Sequence, residues 1–267
     1  MLGRMWIVGL GNYLPVEISR TIVPRLPQRW QRFTPSRSWT DAEVGSIGYS
    51  EVPESPTPSG HLHQQPLVGN QIAMVAAFGV ALTALETPVS PIKVVDFGGY
   101  DGKHADLIGS LFPKLTFDWV VVDLPRVAKA MSQRSRPGLC FVSDLVEVLA
   151  SKPDITLASA SLNYVSNPGE VLQSMCARSS LVVLTRLPLW PIQHQTAAIQ
   201  HTRRRPVEIS YPTWFFSEAE FIAEVNRSAE VLLDFDCPDD RAAFAGHYST
   251  YRGLVLATGG RMAKHSK

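Results

Sequence analysis

The sequence predicts an α/β domain: a doubly wound, mostly parallel sheet with an antiparallel edge strand. Three observations carry this. From residue 92 on, short apolar runs alternate with segments of helical spacing. The runs are apolar almost throughout rather than at every second position, as strands of a parallel sheet covered on both faces require. The last two runs, "EVLLDFDCP" and "YRGLVLATGG", are joined by a short turn-rich link, and a hairpin there makes them antiparallel at one edge.

Taken in order, residues 1–68 read as an N-terminal arm ending in a Pro-rich connector, "EVPESPTPSGHLHQQP". The opening "MLGRMWIVGLGNYLPVEI" has a short apolar run broken by Gly and Asn and no small-residue cleavage site, so it is not read as a signal peptide. The domain proper spans 69–260 and opens with a buried helix, "NQIAMVAAFGVALTALE", followed by Pro88 and Pro91. Then come "IKVVDF", "FDWVVVD", "LCFVSD", "DITLASAS" and "SLVVLTR" as strands, separated by "HADLIGSLF", "RVAKAMSQ", "LVEVLAS" and "PGEVLQSM" as helices. A break rich in Pro, His and Arg, 187–213, reads as a lid inserted before the helix "SEAEFIAEVN"; residues 261–267 form a tail.

With 267 residues and 45% hydrophobic content the chain can bury one sizeable core. A net charge of +1 gives no reason to expect nucleic acid or an anionic membrane as a partner. Charged residues are 18%, below the usual roughly 25%, which leaves apolar surface for a substrate or for a homodimer contact. No apolar stretch reaches 18 residues, so no transmembrane helix is expected. Cys140, Cys176 and Cys237 are far apart with no CxxC pair, which fits a reducing, cytoplasmic setting and argues against a zinc site. His61 and His63 have metal-like spacing but no third ligand near in sequence, and no metal is predicted.

The first strand of the sheet runs into Asp96-Phe97-Gly98-Gly99-Tyr100-Asp101-Gly102. Glycines in a strand–turn–helix unit let the backbone bend sharply and approach a ligand, while the helix N-terminus offers unpaired amides; such a turn suits a nucleotide-like cofactor. Asp96 precedes the glycines, and the next two strands end at Asp123 and Asp144, which puts three carboxylates at the carboxyl edge where open sheets bind ligands. Asp123 can accept both hydroxyls of a ribose. No Arg or Lys directly follows it, which disfavours a 2′-phosphate, although Arg126 is close.

"VVDFGGYDG" resembles motif I of the class I S-adenosylmethionine-dependent methyltransferases, (D/E)xGxGxG, and "VVVDLP" resembles their ribose-gripping acidic motif. The combination of "SWTDAEVGSIGYS", "VVDFGGYDGKH", "VVVDLPRV", "LASASLNYVSNPGEVL", "LTRLP" and "SYPTWFFSEAEF" is similar to a family of methyltransferases associated with bacterial surface polysaccharide biosynthesis, over most of residues 38–257. Only the last block, with Tyr211, Pro212, Trp214 and Phe215, is specific to that family. The resemblance implies S-adenosylmethionine as cofactor and a hydroxyl of a sugar or glycan precursor as acceptor. It also implies that Asp96 orients the methionine amino group directly or through water, that the amides around Gly98, Gly99 and Gly102 lie against the cofactor, that Asp123 takes the ribose and that Leu124 faces the adenine. Asp144 then meets the exocyclic amine or, equally well, caps the helix "LVEVL". Tyr100 stands where the motif has its middle glycine, either beside the methionine or partly blocking it.

His104, at the start of the helix after the turn, is the candidate base; a positioned base contributes about 10²- to 10⁴-fold. Asn163 and Tyr164 follow the fourth strand, near where these enzymes hold the transferred methyl. In the lid, His194 and His201 are candidates to face the acceptor, Arg203 with Arg204 and Arg205 to hold an anionic part of it, and Trp214 to stack on a sugar. Each has a plain reading beside it: a surface histidine, a solvated arginine run, a core aromatic. Two other functions stay open. A nicotinamide-dependent oxidoreductase shares the glycine turn and the acid, but lacks the GxGxxG spacing. A non-catalytic scaffold that keeps the fold accords with Tyr100.

Overall fold

The computed structural model describes residues 29–44, 69–85, 90–204 and 207–258. The connector 51–66 with His61 and His63, Arg205 and the tail 261–267 lie outside the described residues. In chain order the elements are β1 (Arg29–Pro35), α1 (Trp39–Val44), α2 (Gly69–Ala84), β2 (Ile92–Phe97), α3 (Lys103–Leu111), β3 (Phe117–Val122), α4 (Pro125–Met131), β4 (Leu139–Val142), α5 (Leu145–Leu149), β5 (Ile155–Ser159), α6 (Pro168–Arg178), β6 (Leu181–Leu187), β7 (Leu189–Trp190), β8 (Thr196–Arg204), β9 (Val207–Ser217), α7 (Glu218–Ser228), β10 (Ala229–Phe244) and β11 (His247–Thr258).

A seven-stranded sheet has the order β10-β11-β6-β5-β2-β3-β4. The five strands from β6 to β4 are parallel, and β11 and β10 add on antiparallel. The chain winds one way from β2 to β4 and the other way through β5 and β6, so the switch point lies between β2 and β5, where an open sheet binds its ligand.

Alternate residues on a strand face opposite sides, and here both sides are covered. Strand β6 illustrates it: Leu181 and Val183 pack with Met74 and Phe78 of α2 and Ile108 of α3, whereas Val182 and Leu184 pack with Met175 of α6 and Val225 of α7. This is why the strands read as unbroken apolar runs. Phe78 and Trp119 stack at 5.6 Å beneath β2 and β3, each fully buried; burying such a side chain stabilises by about 1.5–3 kcal/mol.

Two expectations are corrected. The break at 187–213 is not irregular: β7, β8 and β9 lie there, and with β1 they form a second sheet in the order β1-β8-β9-β7. The face that carries Gln200 also carries Thr202 and Thr213, all buried, so no apolar alternation marked these strands. Pro212 sits mid-strand, tolerated because β7 pairs with β9 only at Phe216 and Ser217 and leaves that edge of Pro212 without a ladder partner. The link between the last two strands is also no loop. β10 and β11 continue as one long hairpin, with a register shift between Cys237 and Arg241 and a turn at Ala245-Gly246, where φ is 51° and 80°. Its outer half joins the second sheet around a third cluster, in which Phe215 stacks on Phe244 at 3.9 Å and Trp190 meets Phe215 edge-on at 4.9 Å.

Candidate functional site

At the switch point β2 ends and the chain turns through Gly98, in the left-handed region at φ 73°. A Cβ on Gly98 would lie 2.5 Å from Cβ of Ser161, which follows β5, and one on Gly99 would lie 2.4 Å from the Asp96 carboxyl carbon. Closeness therefore requires glycine at both positions, and at Gly98 the backbone conformation requires it as well. Tyr100, where the motif resemblance expects glycine, adopts φ 49° all the same. Its amide donates to Asp123 Oδ2 at 3.0 Å, and its side chain is 40% exposed.

Beside this turn lies a cavity of about 360 Å³, within the range of small-molecule sites. Gly98, Asp123, Leu124, Ser143, Ser161 and Tyr164 contribute to its wall. Asp123 is held by two amides, Leu124 N to Oδ1 at 2.7 Å and Tyr100 N to Oδ2 at 3.0 Å, and burial pushes its carboxyl above the ordinary value. Each oxygen keeps a lone pair for a further donor. The Ser161 hydroxyl is buried without a recorded partner among the described residues, and Ser161 lines the same space.

Asp96 is fully buried at the end of β2 and does something the sequence did not disclose. Its carboxylate accepts from His104 Nδ1 at 3.0 Å and from Trp119 Nε1 at 3.3 Å. Since a carboxylate has no proton to offer, His104 donates through Nδ1, and Nε2 is the nitrogen left to accept one. Burial works against the charged ring, but the charge and the hydrogen bond of Asp96 outweigh it, so the pKa of His104 is raised.

The charge of Arg186 reaches both His104 and Tyr164. Tyr164 O–H donates to Gln200 on β8 at 2.9 Å, and burial raises its pKa strongly. Asn163 is buried and donates to Thr213 on β9 at 2.9 Å, while its Oδ1 has no recorded partner among the described residues. Arg186 lies near the end of β6, at a bulge where the pairing with β11 skips from Leu184 to Leu187, and its φ is 60°. Asp240 on β10 takes its Nε and, at 3.3 Å, its Nη2.

The remaining sequence candidates fall elsewhere. Asp144 caps α5 by accepting from Glu147 N at 3.0 Å, while Ser143 beside it faces the cavity. His194 is exposed and paired with Glu220 of α7 at 2.7 Å. His201 contacts Thr34 of β1 at 3.1 Å, one position after Gln200 and so on the opposite face of β8. Arg203 lies on β8 opposite Glu208. Trp214 stacks on Trp39 at 5.4 Å, and its Nε1 donates to Val165 O at 3.1 Å, on the segment that borders the cavity. Arg186, Asp240 and Gln200 went unremarked in the sequence; the one available signal was the Arg of "LTRLP", set at a strand's carboxyl end.

No family model matches the chain, and no curated protein matches it. Among solved structures, it is similar to the CcbJ methyltransferase from Streptomyces caelestis at 13% identity, covering 73% of this chain and 93% of that one, with a TM-score of 0.47. It is similar to the N-terminal domain of EvdMO1 solved in the presence of SAH and D-fucose, at 11% identity, 73% and 84% coverage and a TM-score of 0.44. A third is DesVI from Streptomyces venezuelae, at 12% identity, 72% and 94% coverage and a TM-score of 0.44. The fold is of the class I methyltransferase type. That assignment stands on the sheet itself: the switch point between β2 and β5, five parallel strands and the antiparallel β11-β10 edge. Among the described residues, no helix is long and apolar enough to cross a membrane.

Proposed function

We propose that this chain is an S-adenosylmethionine-dependent O-methyltransferase acting on a hydroxyl of a sugar or glycan precursor in the cytoplasm. The observation that carries the reading is the cavity at the switch point, with the doubly anchored Asp123 carboxylate, the close-packed Gly98 turn and the unpartnered Ser161 hydroxyl on one wall. These fit the cofactor: Asp123 accepts from the ribose hydroxyls, exposed Leu124 offers an apolar face to the adenine, and Ser143 rather than Asp144 is the polar group at that end. Tyr100 does not stand against this, because its backbone takes the glycine-like conformation and its side chain is exposed.

When bound, the cofactor supplies an electrophilic methyl group on a sulfonium. The chain's own task is to align an acceptor, exclude water and take its proton. His104 is the base: Asp96 fixes the ring through Nδ1, and Nε2 accepts the proton of the acceptor hydroxyl. Asp96, buried under Gly99 and bonded to His104, positions this base rather than gripping the cofactor's amino group directly. Asn163 and Tyr164 tie the segment after β5 to the lid, so the lid closes that side of the site. The family association with surface polysaccharide biosynthesis belongs to this reading as its biological setting.

Calorimetric titration with S-adenosylmethionine, S-adenosylhomocysteine and NAD tests it. Micromolar binding of the first two, none of NAD, and loss of at least tenfold in affinity in Asp123→Ala is the expected result. Binding of NAD alone would transfer the chain to the oxidoreductases, and binding of none would leave only a scaffold.

A further inference from the structure

Three residues in left-handed backbone that are not glycine mark the carboxyl edge of the main sheet: Tyr100 after β2, Ala160 after β5 and Arg186 in β6. Such backbone strain collects at functional sites. Tyr100 and Ala160 belong to the turn and the cavity already described. Arg186 has no part in either, and it sits in a β-bulge, a device that re-aims a side chain.

What the bulge aims is held in place. Asp240, which also accepts from Asn70 Nδ2 at the start of α2 at 2.8 Å, takes the Nε and Nη2 side of the guanidinium. That leaves Nη1, for which no partner is recorded among the described residues, and the Arg186 side chain is 36% exposed. Thr185 O, one residue before Arg186, accepts from Ala160 N at 3.0 Å, so Arg186 stands beside the 160–165 segment that borders the cavity, and its charge is felt by both His104 and Tyr164.

We propose that Arg186, positioned by Asp240, binds the acceptor, and that the acceptor offers it an uncharged polyhydroxylated face rather than an anionic group. The inference rests on the methyltransferase reading above and deepens it. Charge decides between the two kinds of ligand. Lys103 and Arg134 share Asp101, Arg134 and Arg136 share Asp106, and Asp96, Asp240 and the cavity's Asp123 stand against Arg186 and, when protonated, His104. No net positive charge is left to draw a phosphate or a uronate. An arginine–carboxylate pair offers donors and acceptors side by side, which suits neighbouring hydroxyls of a sugar ring. The anion-binding role that the sequence suggested for the lid arginines is therefore not needed for recognition at this spot.

The test uses the full chain saturated with S-adenosylhomocysteine and follows saturation-transfer NMR signals from methyl α-glucopyranoside, methyl α-mannopyranoside, glucuronate and glucose 1-phosphate. A neutral pyranoside is expected to bind more tightly than either anion. Arg186→Lys and Asp240→Asn should each weaken it about tenfold while S-adenosylhomocysteine affinity stays within twofold and melting temperature confirms folding. Tighter binding of the anions, no binding of any pyranoside, or variants that leave pyranoside binding unchanged or lose cofactor affinity equally would each overturn the assignment. Failure of the wild type to bind S-adenosylhomocysteine would instead sink the methyltransferase reading beneath it, and is seen before any sugar is added.

Discussion

Gly98→Ala isolates the contact on which the site is built. An L-residue in the left-handed region costs about 1–2 kcal/mol. The new Cβ would stand 2.5 Å from Ser161 Cβ, where carbon atoms rest about 3.5–4.0 Å apart, so one strand end must shift by about an ångström. Overpacking of that kind costs about 1–3 kcal/mol. Together, about 2–5 kcal/mol should be lost from a total of about 5–15 kcal/mol, read as a fall of roughly 1–2 M in the urea midpoint. S-adenosylhomocysteine affinity should drop with it. The steric share can be recovered separately: Ser161→Gly removes the obstructing Cβ together with a hydroxyl that has no recorded partner among the described residues. The double variant should regain about 1–3 kcal/mol relative to the sum of the single changes, leaving the backbone share behind. If Gly98→Ala unfolds within about 0.5 kcal/mol of wild type, or if the two changes simply add, then the turn is not packed on Ser161 as described and the close approach has no functional weight.

The charged form of His104 is favoured in the fold, against burial and the repulsion of Arg186 and with the help of Asp96 and Asp101. Its contribution to stability is therefore complete below about pH 6.5 and disappears as pH rises through the raised folded value. In Asp96→Asn burial prevails, so an NMR titration should find the His104 pKa moved from above about 6.5 to below it; an unmoved pKa would refute the pairing. Base catalysis should gain as pH rises through the same value. Of the three thiols, Cys140 is exposed, whereas Cys176 and Cys237 are buried, and burial pushes the Cys237 thiol up to about 11 against the lowering effect of the bond it accepts from Arg186 N. Native protein should give one thiol to a disulfide reagent and all three only on unfolding; a second fast thiol would contradict this packing.

The parallel core was open to reading from the sequence because both of its faces are covered, so every strand carried its signal in each residue. The acids at strand ends were equally legible, and Asp123 lies at the cavity as its position implied. Legibility fails where partners are distant or where a face is polar. Asp240 meets Arg186 across 54 residues only because the β10-β11 hairpin runs past the sheet, an extension hidden by its turn-like composition. Gln200 meets Tyr164 while His201 turns away, a difference of one position that sequence alone cannot set without the register of β8. Asp96 and His104 were each singled out, but their pairing depends on the tight turn that brings residues 8 apart together.

The second sheet joins the two ends of a long loop in the chain. β1 pairs with β8 across 167 residues, as the Thr34–His201 contact measures, and almost the whole parallel sheet is made from the chain between them. Closing so large a loop is slow and entropically unfavourable until the intervening chain has collapsed. β1 leaves the ribosome long before β8 exists, and must wait unpaired while the main sheet forms. The roof of the site is thus the last part to assemble and, by the same measure, the first free to open. A covering sheet held by so late a strand can open there while the parallel sheet and the cavity at its switch point stay intact.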